Sequence, residues 1–382
     1  MTIYSVTAPA QTIFGRDSRL GAAAHVARMG TRVLLVSGRS VPWVETFEAE
    51  LRAAGLAVER IFSTGEPSLG DVRAGVSAAR RFRAECVVAV GGGASIDLGK
   101  AIAGMAGSAG DPEEYLELGR PPARSLADPL PFVAMPTTSG TGAEATRNAV
   151  ISVPERQLKI SLRDPRLVPR LAIVDPALTD ALPKALTLAT GLDAITQLIE
   201  SYLCNRANPV TDALCRDTLP EAITALRRLM EGPSDTARDT MARASYLSGL
   251  ALANSGLGVV HGLASVIGGR GGAHGAICGR LLADALLVNR DAAARAGLPT
   301  RRFDEVEAWL REGLGGTVSG PECLRAFIDR HGLPTLNDLH LSESDFDAVA
   351  QEALGASSTK ANPVTLSAGE IARILHGAAL SN

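Results

Sequence analysis

The chain has 382 residues, 46% of them hydrophobic and 21% charged, which is the composition of a globular protein too long for one compact core. Its net charge of −3 argues against a nucleic-acid surface or a basic membrane patch, so neither nucleic acid nor membrane is an expected partner. Five scattered cysteines without a C-x-x-C pair favour a reducing cytoplasm over a disulfide framework.

Short apolar runs alternate with amphipathic helical patterns along the first half of the chain. This alternation indicates a parallel β-sheet that helices cover on both faces, an α/β arrangement suited to binding a nucleotide. Helical patterns lie at residues 41–55, 69–83 and 91–107. The predicted strands cover residues 31–37, 56–62, 85–90, 131–138 and 171–176.

Two polar loops that contain glycine follow predicted strands. In the first, Gly91, Gly92 and Gly93 lie where a strand gives way to a helix, so the backbone can approach a phosphate closely and the helix supplies N–H groups. A tight turn without a ligand explains the same residues, and the G-x-G-x-x-G fingerprint is absent. The second loop, PTTSGTGAEAT at residues 136–146, offers several hydroxyls. Two such loops at strand ends of one sheet predict a shared ligand crevice.

The end of another strand, VSGRS, bears on the choice of nicotinamide cofactor. A ribose 2′-hydroxyl is usually held by an acidic side chain, whereas a 2′-phosphate needs small residues and a cation. Gly38, Arg39 and Ser40 supply room, positive charge and a hydroxyl, and this stretch has no acid. The pattern therefore favours NADP(H) over NAD(H), with an ordinary solvated Arg39 as the alternative.

Strand signals fade after residue 176, and the second half carries apolar residues at helical spacing. We therefore predict two domains, an α/β domain at residues 1–180 and an all-helical domain at residues 181–382. One uncharged stretch, residues 244–269, is long enough to span a bilayer. Its many Gly and Ser residues instead predict buried helices that meet at small side chains.

Four side chains of the second half are candidate metal ligands. Asp193 and Gln197 are four residues apart, so their oxygens point to one face of a helix, and His261 and His274 lie in a glycine-rich context. One carboxylate, one amide and two imidazoles suit a borderline divalent cation such as Fe²⁺ or Zn²⁺. Packing and hydrogen bonding of the two histidines is the alternative.

Long motifs occur in order along nearly the whole chain: GGGASIDLGK, PTTSGTGAEAT, GLDAITQLIESYL, GLGVVHGLASVIGG and the AHG around His274. In this order they resemble the iron-containing (group III) alcohol dehydrogenase family, which has the same fold as dehydroquinate synthase. The resemblance implies an N-terminal α/β dinucleotide-binding domain and an all-α C-terminal domain, with metal and substrate in the cleft between them. It also implies an NADP or NAD cofactor and a divalent metal.

The resemblance assigns the cofactor contacts residue by residue. Gly92 and Gly93 would meet the pyrophosphate, although Ala94 stands where the family usually has Ser. Gly38 falls where NAD-preferring relatives carry Asp, which agrees with the NADP(H) preference. The other implied positions are Asp97 and Lys100 of the D-x-x-K that follows, Thr137, Thr138 and Thr141 along the adenine and phosphate side, Lys159 near the ribose, and Leu178 beside the adenine.

The sequence departs from the family at two positions of the implied metal site. The family shell is one Asp and three His; Asp193, His261 and His274 match, but Gln197 replaces one His. An amide oxygen is a weaker, harder donor than imidazole, so metal affinity should fall. Ser265 stands where many members place a histidine that helps to move protons. No catalytic residue is therefore assigned, and Ser265, acting through water, is the candidate for the proton relay.

The implied reaction is hydride transfer between the nicotinamide and a small alcohol, aldehyde or ketone whose oxygen the metal polarises. Gln197 and Ser265 leave open a maleylacetate-reductase-like enzyme that works without metal. A lyase of the dehydroquinate-synthase type is a weaker alternative, because the cleft segments are mostly Ala, Gly and Leu. The last alternative is a non-catalytic nucleotide sensor whose metal site has been lost. Homodimers or larger homo-oligomers are expected from the relatives.

Overall fold

The computed structural model describes residues 3–118, 121–156 and 158–380, which form two compact units. The first unit comprises Thr7–Thr138 and Gly142–Asp180. The second unit comprises the chain from Ala181 onward, together with Ser139–Thr141 and the residues up to Val6. The main change from one unit to the other therefore falls between Asp180 and Ala181.

Eight strands lie in the described part of the first unit, and five of them were predicted. They are β1 (Gln11–Phe14), β2 (Arg32–Gly38), β3 (Ala57–Ser63), β4 (Cys86–Gly91), β5 (Phe132–Pro136), β6 (Asn148–Val153), β7 (Leu158–Arg163) and β8 (Leu171–Val174). Six of them form one sheet in the order β1-β8-β5-β4-β2-β3, with every pairing parallel. β6 and β7 form a separate antiparallel pair. The predicted parallel α/β sheet is confirmed.

Both faces of the central sheet are buried. Val33 and Leu35 of β2 pack in one apolar cluster, whereas Leu34 and Val36 pack in another on the opposite face. Because each face meets a helical layer, these strands appear in the sequence as unbroken apolar runs. The helices of this unit are α1 (Ala22–Val26), α2 (Val44–Ala53), α3 (Leu69–Phe82) and α4 (Gly93–Met105).

The three strands that were not predicted are short or only half buried. β1 has four residues, none of them fully buried, and pairs at the edge of the sheet with β8 alone. In β6 only alternate residues are buried, and most of β7 is partly exposed. None of the three therefore carries the continuous apolar run that identifies a strand covered on both faces.

Helices are the regular elements of the described part of the second unit, as predicted. Its core is one large apolar cluster to which α5 contributes along most of its length. The helices are α5 (Lys184–Leu203), α6 (Pro209–Glu231), α7 (Asp235–Asn254), α8 (Val259–Gly269), α9 (His274–Arg295), α10 (Arg301–Leu314), α11 (Gly320–Arg330), α12 (Phe346–Ala353) and α13 (Ala368–Ala379).

The uncharged stretch at residues 244–269 forms the end of α7 and the whole of α8. Among the described residues, no single helix is both long and apolar enough to cross a membrane. Taken together, α7 and α8 meet that test on length and composition alone, with a bend of 101° between them.

Candidate active site

The carboxyl ends of β4 and β5 meet in the first unit and bring the two predicted loops together. The N–H of Thr137 donates to the carbonyl of Gly91 at 3.0 Å. A Cβ atom built on Gly92 would lie 3.3 Å from the side chain of Thr138, and one on Gly91 would lie 2.4 Å from Oγ of Ser95. Only glycine allows the strand, loop and helix to approach this closely. The two loops therefore form one edge of the sheet.

The first turn of α4 combines exposure with free helix N–H groups. Gly92, Gly93, Ala94 and Asp97 are partly exposed, while the residues that alternate with them on the other face of α4 are buried. No acidic side chain occupies the first turn of this helix. An anion can therefore approach the positive end of the helix dipole without meeting a carboxylate there.

Lys100, the last residue of the D-x-x-K pattern, is completely buried in the first unit. Its ammonium group donates to Oγ1 of Thr146 at 2.9 Å and to the carbonyl of Asn148 at 2.7 Å. Burial lowers the pKa of Lys100 to about 8, against the opposing effect of nearby Asp97 and Glu144. These contacts tie α4 to the start of β6, so in this unit Lys100 acts as a structural link.

A cluster of basic and aromatic side chains surrounds the carboxyl end of β2, beside Gly38 and Ser40. The guanidinium of Arg39 lies 4.4 Å from the ring centroid of Phe62, and that of Arg60 lies 4.7 Å from the same centroid. Nε of Arg60 also donates to Oγ of Ser37 at 3.0 Å. The sequence did not single out Arg60, because only the parallel pairing of β2 with β3 places it next to Arg39.

The remaining predicted cofactor residues are dispersed. Thr141 belongs to the second unit, where its carbonyl accepts a hydrogen bond from Gln197. Lys159 lies on β7 and forms an ion pair with Glu66. Leu178 lies in a short 3₁₀ helix after β8 and is partly exposed.

The four sequence-predicted metal ligands lie together in the second unit. Nε2 of His261 is 3.3 Å from Oδ1 of Asp193, and Nε2 of His274 is 3.7 Å from the same oxygen. A tetrahedral cation with bonds of about 2.0–2.3 Å holds its donor atoms about 3.3–3.7 Å apart. Both distances from the carboxylate to the imidazoles match this spacing, and the potential ligand atoms of these three residues all lie within 4.8 Å of one another.

Close packing of α9 on α5 brings these ligands together. A Cβ atom on Gly275 would lie 2.5 Å from the carbonyl oxygen of Ala189, and one on Gly279 would lie 2.6 Å from the side chain of Leu192. Both glycines therefore permit an approach that any side chain would block. As a result His274, at the start of α9, reaches Asp193 on α5.

In the metal-free protein the carboxylate of Asp193 and the two imidazoles stabilise each other's charged forms. Burial alone would raise the pKa of Asp193, but the imidazoles of His274 and His261 hold it below its usual value. For His274 burial acts in the opposite direction and lowers the pKa. Cys278 and Asp193 outweigh this effect and raise the pKa of His274 to about 9. In the metal-free protein the imidazoles therefore hold protons that a metal must displace. His274 keeps 35% of its side-chain surface exposed, which leaves an open face.

Glu200 orients His261 and was not identified from the sequence. Its Oε2 accepts a hydrogen bond from Nδ1 of His261 at 2.7 Å, and its Oε1 accepts one from the backbone N–H of Val260 at 2.7 Å. This carboxylate–histidine contact presents Nε2 to the cluster, as is usual for histidine ligands of metals. The signal was available, because Glu200 lies seven residues after Asp193 on the same face of α5.

Gln197 lies beside Asp193, but its carboxamide is engaged in hydrogen bonds. Its Oε1 accepts from Oγ of Ser248 at 2.7 Å, and its Nε2 donates to the carbonyl of Thr141 at 3.3 Å. A side-chain hydrogen bond from Gln197 also helps to lower the pKa of Asp193. The amide thus directs an N–H towards the carboxylate.

Cys278 is a fourth ligand-type side chain in the cluster, and the sequence analysis missed it. Its Sγ lies 3.8 Å from Nε2 of His274. The potential ligand atoms of Asp193, His261, His274 and Cys278 all lie within 4.8 Å of one another. The available signal was the four-residue spacing from His274 to Cys278, which places both side chains on one face of α9.

Ser265, the candidate for the proton relay, lies one turn after His261 on α8. Its hydroxyl donates to the carbonyl of Gly262 at 2.8 Å, and its side chain is exposed. A serine hydroxyl in this position can pass a proton only through water.

Comparisons with known proteins show the family to which the chain belongs. The family description "Iron-containing alcohol dehydrogenase" matches residues 9–176, and "Fe-containing alcohol dehydrogenase family, C-terminal" matches residues 187–379. The chain belongs to the iron-containing alcohol dehydrogenase family. It is therefore an oxidoreductase that acts on small alcohols or aldehydes, and the family implies a nicotinamide cofactor and a divalent metal.

Individual members are similar over nearly their whole length. The chain is 34% identical to the 1,3-propanediol dehydrogenase of Klebsiella pneumoniae, with 91% of this chain and 92% of that protein covered. It is 30% identical to the NAD-dependent methanol dehydrogenase of Bacillus methanolicus, with 97% and 98% covered. The crystal structure of a 1,3-propanediol oxidoreductase superposes with a TM-score of 0.86 at 31% identity, covering 99% of this chain and 100% of that one.

Proposed function

We propose that this alcohol dehydrogenase uses NADP(H) and a divalent cation, Fe²⁺ or Zn²⁺, to interconvert a small alcohol and its aldehyde or ketone. The observation that carries the proposal is the cluster of Asp193, His261 and His274, whose donor atoms have the spacing of a metal shell. A cation held there would supply a Lewis acid for the substrate oxygen while the nicotinamide exchanges a hydride.

The side chains of the second unit have distinct roles in this proposal. Asp193 supplies the negative charge, His261 and His274 supply nitrogen donors, and Glu200 fixes the tautomer and orientation of His261. The exposed face of His274 leaves room for substrate. Ser265, through water, remains the candidate for proton transfer to solvent.

NADP(H) is supported by the surroundings of Gly38 in the first unit. Arg39 and Arg60 place two guanidinium groups beside the same aromatic ring, and Ser40 adds a hydroxyl. A 2′-phosphate requires this combination of positive charge and space, whereas a 2′-hydroxyl usually requires a carboxylate. Gly92, Gly93 and the first turn of α4 would hold the pyrophosphate, with Ala94 and Asp97 on the same face of the helix and Thr137 and Thr138 on the adjoining loop.

The substrate class is a short, fairly apolar alcohol or carbonyl compound. Small and apolar residues flank both histidines, in GVVHGLAS and GGAHGAI. Such surroundings offer little to a charged substrate. The relatives named for 1,3-propanediol and methanol act on small alcohols, which supports the same class for this chain.

Two further features belong to the proposal. All five cysteines are free and buried, which supports a reducing cytoplasmic location. A homodimer or larger homo-oligomer is also proposed, as the family resemblance implies. Native mass spectrometry of the purified protein tests the oligomer, and a monomer at micromolar concentration would contradict it.

Metal content and NADPH oxidation, measured on the same preparation, test the function. We expect about one iron or zinc per chain, turnover of short aldehydes that is lost on chelation, and recovery when metal is restored. His261→Ala should lose both metal and turnover while retaining NADPH binding, and His376→Ala, on the surface of α13, serves as the matched control. Undiminished turnover by metal-free protein would instead support the metal-independent reductase alternative.

A further inference from the structure

We propose that the thiolate of Cys278 is the fourth protein ligand of the metal, at the coordination position that the family resemblance assigns to Gln197. This inference rests on the proposed function, because it concerns the ligand set of the same site. In the resulting shell the ligands are Asp193, His261, His274 and Cys278, so a sulfur replaces the amide oxygen of Gln197. Such a shell favours Zn²⁺ or Fe²⁺ over harder cations.

The position of Cys278 is the first argument. Its Sγ is 3.8 Å from Nε2 of His274 and within 4.8 Å of the donor atoms of Asp193 and His261. A sulfur and a nitrogen bound to the same tetrahedral zinc are about 3.6 Å apart. The thiol therefore already lies at the distance that joint coordination with His274 requires.

The way Cys278 is held is the second argument. The residue is 0% exposed and lies one helical turn after His274, so both side chains lie on the face of α9 that packs on α5. Gly275 and Gly279 allow this face to approach α5 closely. Cys204 and Cys323 instead direct their sulfur atoms to backbone carbonyls, those of Ser201 and Val318.

The orientation of Gln197 is the third argument. Its oxygen, the only atom of the amide that could bind a cation, accepts a hydrogen bond from Ser248. Its N–H end serves Asp193 and the carbonyl of Thr141. The amide oxygen is thus already hydrogen-bonded, whereas the sulfur of Cys278 lies beside His274.

Cobalt substitution tests the assignment without relying on activity. Metal-free full-length protein loaded with one equivalent of Co²⁺ should show the intense near-ultraviolet charge-transfer band of a cobalt–thiolate bond. Cys278→Ser should lose this band and bind Co²⁺ at least tenfold more weakly. Cys323→Ser, a buried cysteine of α11, should keep both, and Gln197→Ala should keep the band.

The outcomes separate this inference from the proposed function. Binding of Co²⁺ without a thiolate band, or a band that survives in Cys278→Ser, would overturn cysteine ligation and leave the metal site intact. Failure of the wild-type protein to bind Co²⁺ at all would overturn both. X-ray absorption of the zinc-loaded wild-type protein gives a result that does not depend on how a variant folds: we expect one sulfur at about 2.3 Å, and a shell of oxygen and nitrogen alone would refute the assignment.

Discussion

Gly38 is the residue at which one side chain should change the cofactor preference. A Cβ atom there would meet Cγ2 of Val41 at 3.6 Å, an ordinary contact, so the backbone can accept a larger residue. We expect Gly38→Asp to lower kcat/KM for NADPH relative to NADH at least tenfold, or about 1.4 kcal/mol, because its carboxylate repels a 2′-phosphate and accepts from a 2′-hydroxyl. Steady-state kinetics with both cofactors measures the ratio.

Gly38→Ala is the matched control for this change, because it fills the same space without charge. It should leave the ratio of the two cofactors nearly unchanged. If both variants shifted the ratio equally, steric exclusion rather than charge would determine the preference. If neither did, the basic cluster around Arg39 and Arg60 would have no part in cofactor selection.

Glu200 provides the second prediction at the residue scale. Glu200→Gln keeps the shape of the side chain, but its amide nitrogen cannot accept a hydrogen bond. Either Nδ1 of His261 or the backbone N–H of Val260 therefore loses its acceptor. We expect metal affinity to fall about 10–100-fold, the usual effect of losing a group that orients a histidine ligand. Competition with a chromophoric chelator measures this affinity.

Binding of NADPH by Glu200→Gln should be unaffected, since Glu200 lies in the second unit and the nucleotide residues on the β-sheet lie in the first. Glu312→Gln, at an exposed position of α10, controls for loss of charge. Equal metal affinity in the two variants would show that His261 keeps its orientation without Glu200.

Several site residues could be predicted from the sequence because their chemistry is local. The glycines before α4, the spacing of Asp193 and Gln197, and the two histidines beside glycine were all visible. Arg60 was not, because its proximity to Arg39 depends on the pairing of two strands. Cys278 was missed although His274, one turn earlier, was already a ligand candidate, because the four-residue spacing between them was not examined for a second ligand on the same face of α9.

At the scale of elements, the approach of α9 to α5 is the feature on which the metal cluster depends. We expect Gly275→Ala to force the helices apart, because its Cβ would lie 2.5 Å from a backbone carbonyl oxygen that cannot rotate away. Unfolding free energy should fall by about 1–3 kcal/mol, the usual cost of overpacking, and metal affinity should fall at least tenfold. Urea denaturation and metal titration measure the two effects.

Gly369→Ala is the matched control, because Gly369 is also helical but has no atom within 4 Å of the position of its Cβ. This change should leave metal affinity unaltered and stabilise the protein by about 0.5–1 kcal/mol through helix propensity. Retention of wild-type metal affinity by Gly275→Ala would mean that the ligands reach the metal without close helix packing.

Burial also explains, at the scale of elements, which strands could be predicted and which could not. β2, β4 and β5 are covered on both faces, so their apolar runs are unbroken and the sheet could be inferred. The β6–β7 pair lies outside that sheet: β6 alternates between buried and partly exposed residues over six positions, and most of β7 is partly exposed. The sequence LKISLR of β7 does alternate apolar and polar residues, which indicates a half-buried strand, but only continuous apolar runs were read as strands.

At the scale of the whole molecule, metal and protons compete for the same imidazoles, and this makes stability depend on pH. In the metal-free protein the pKa of His274 is about 9, above its ordinary value of 6.5, because Cys278 and Asp193 outweigh the opposing effect of burial. A histidine whose pKa is raised on folding stabilises the folded protein. This stabilisation is complete when the pH is below the pKa of the unfolded state, and it is lost as the pH rises through the pKa of the folded state. Metal-free protein should therefore lose stability between pH 6.5 and about 9.

Metal binding should show the opposite trend, because each displaced proton makes the apparent affinity rise tenfold per pH unit. The increase in Tm on adding Zn²⁺ should therefore be larger at pH 9 than at pH 6.5. Over this range the metal-free protein becomes less stable, while the folded protein binds Zn²⁺ more tightly. Thermal unfolding with and without Zn²⁺ across this range measures the difference. His274→Ala should flatten the pH dependence of the metal-free Tm, and an increase in Tm that stayed constant with pH would show that binding displaces no proton from the imidazoles.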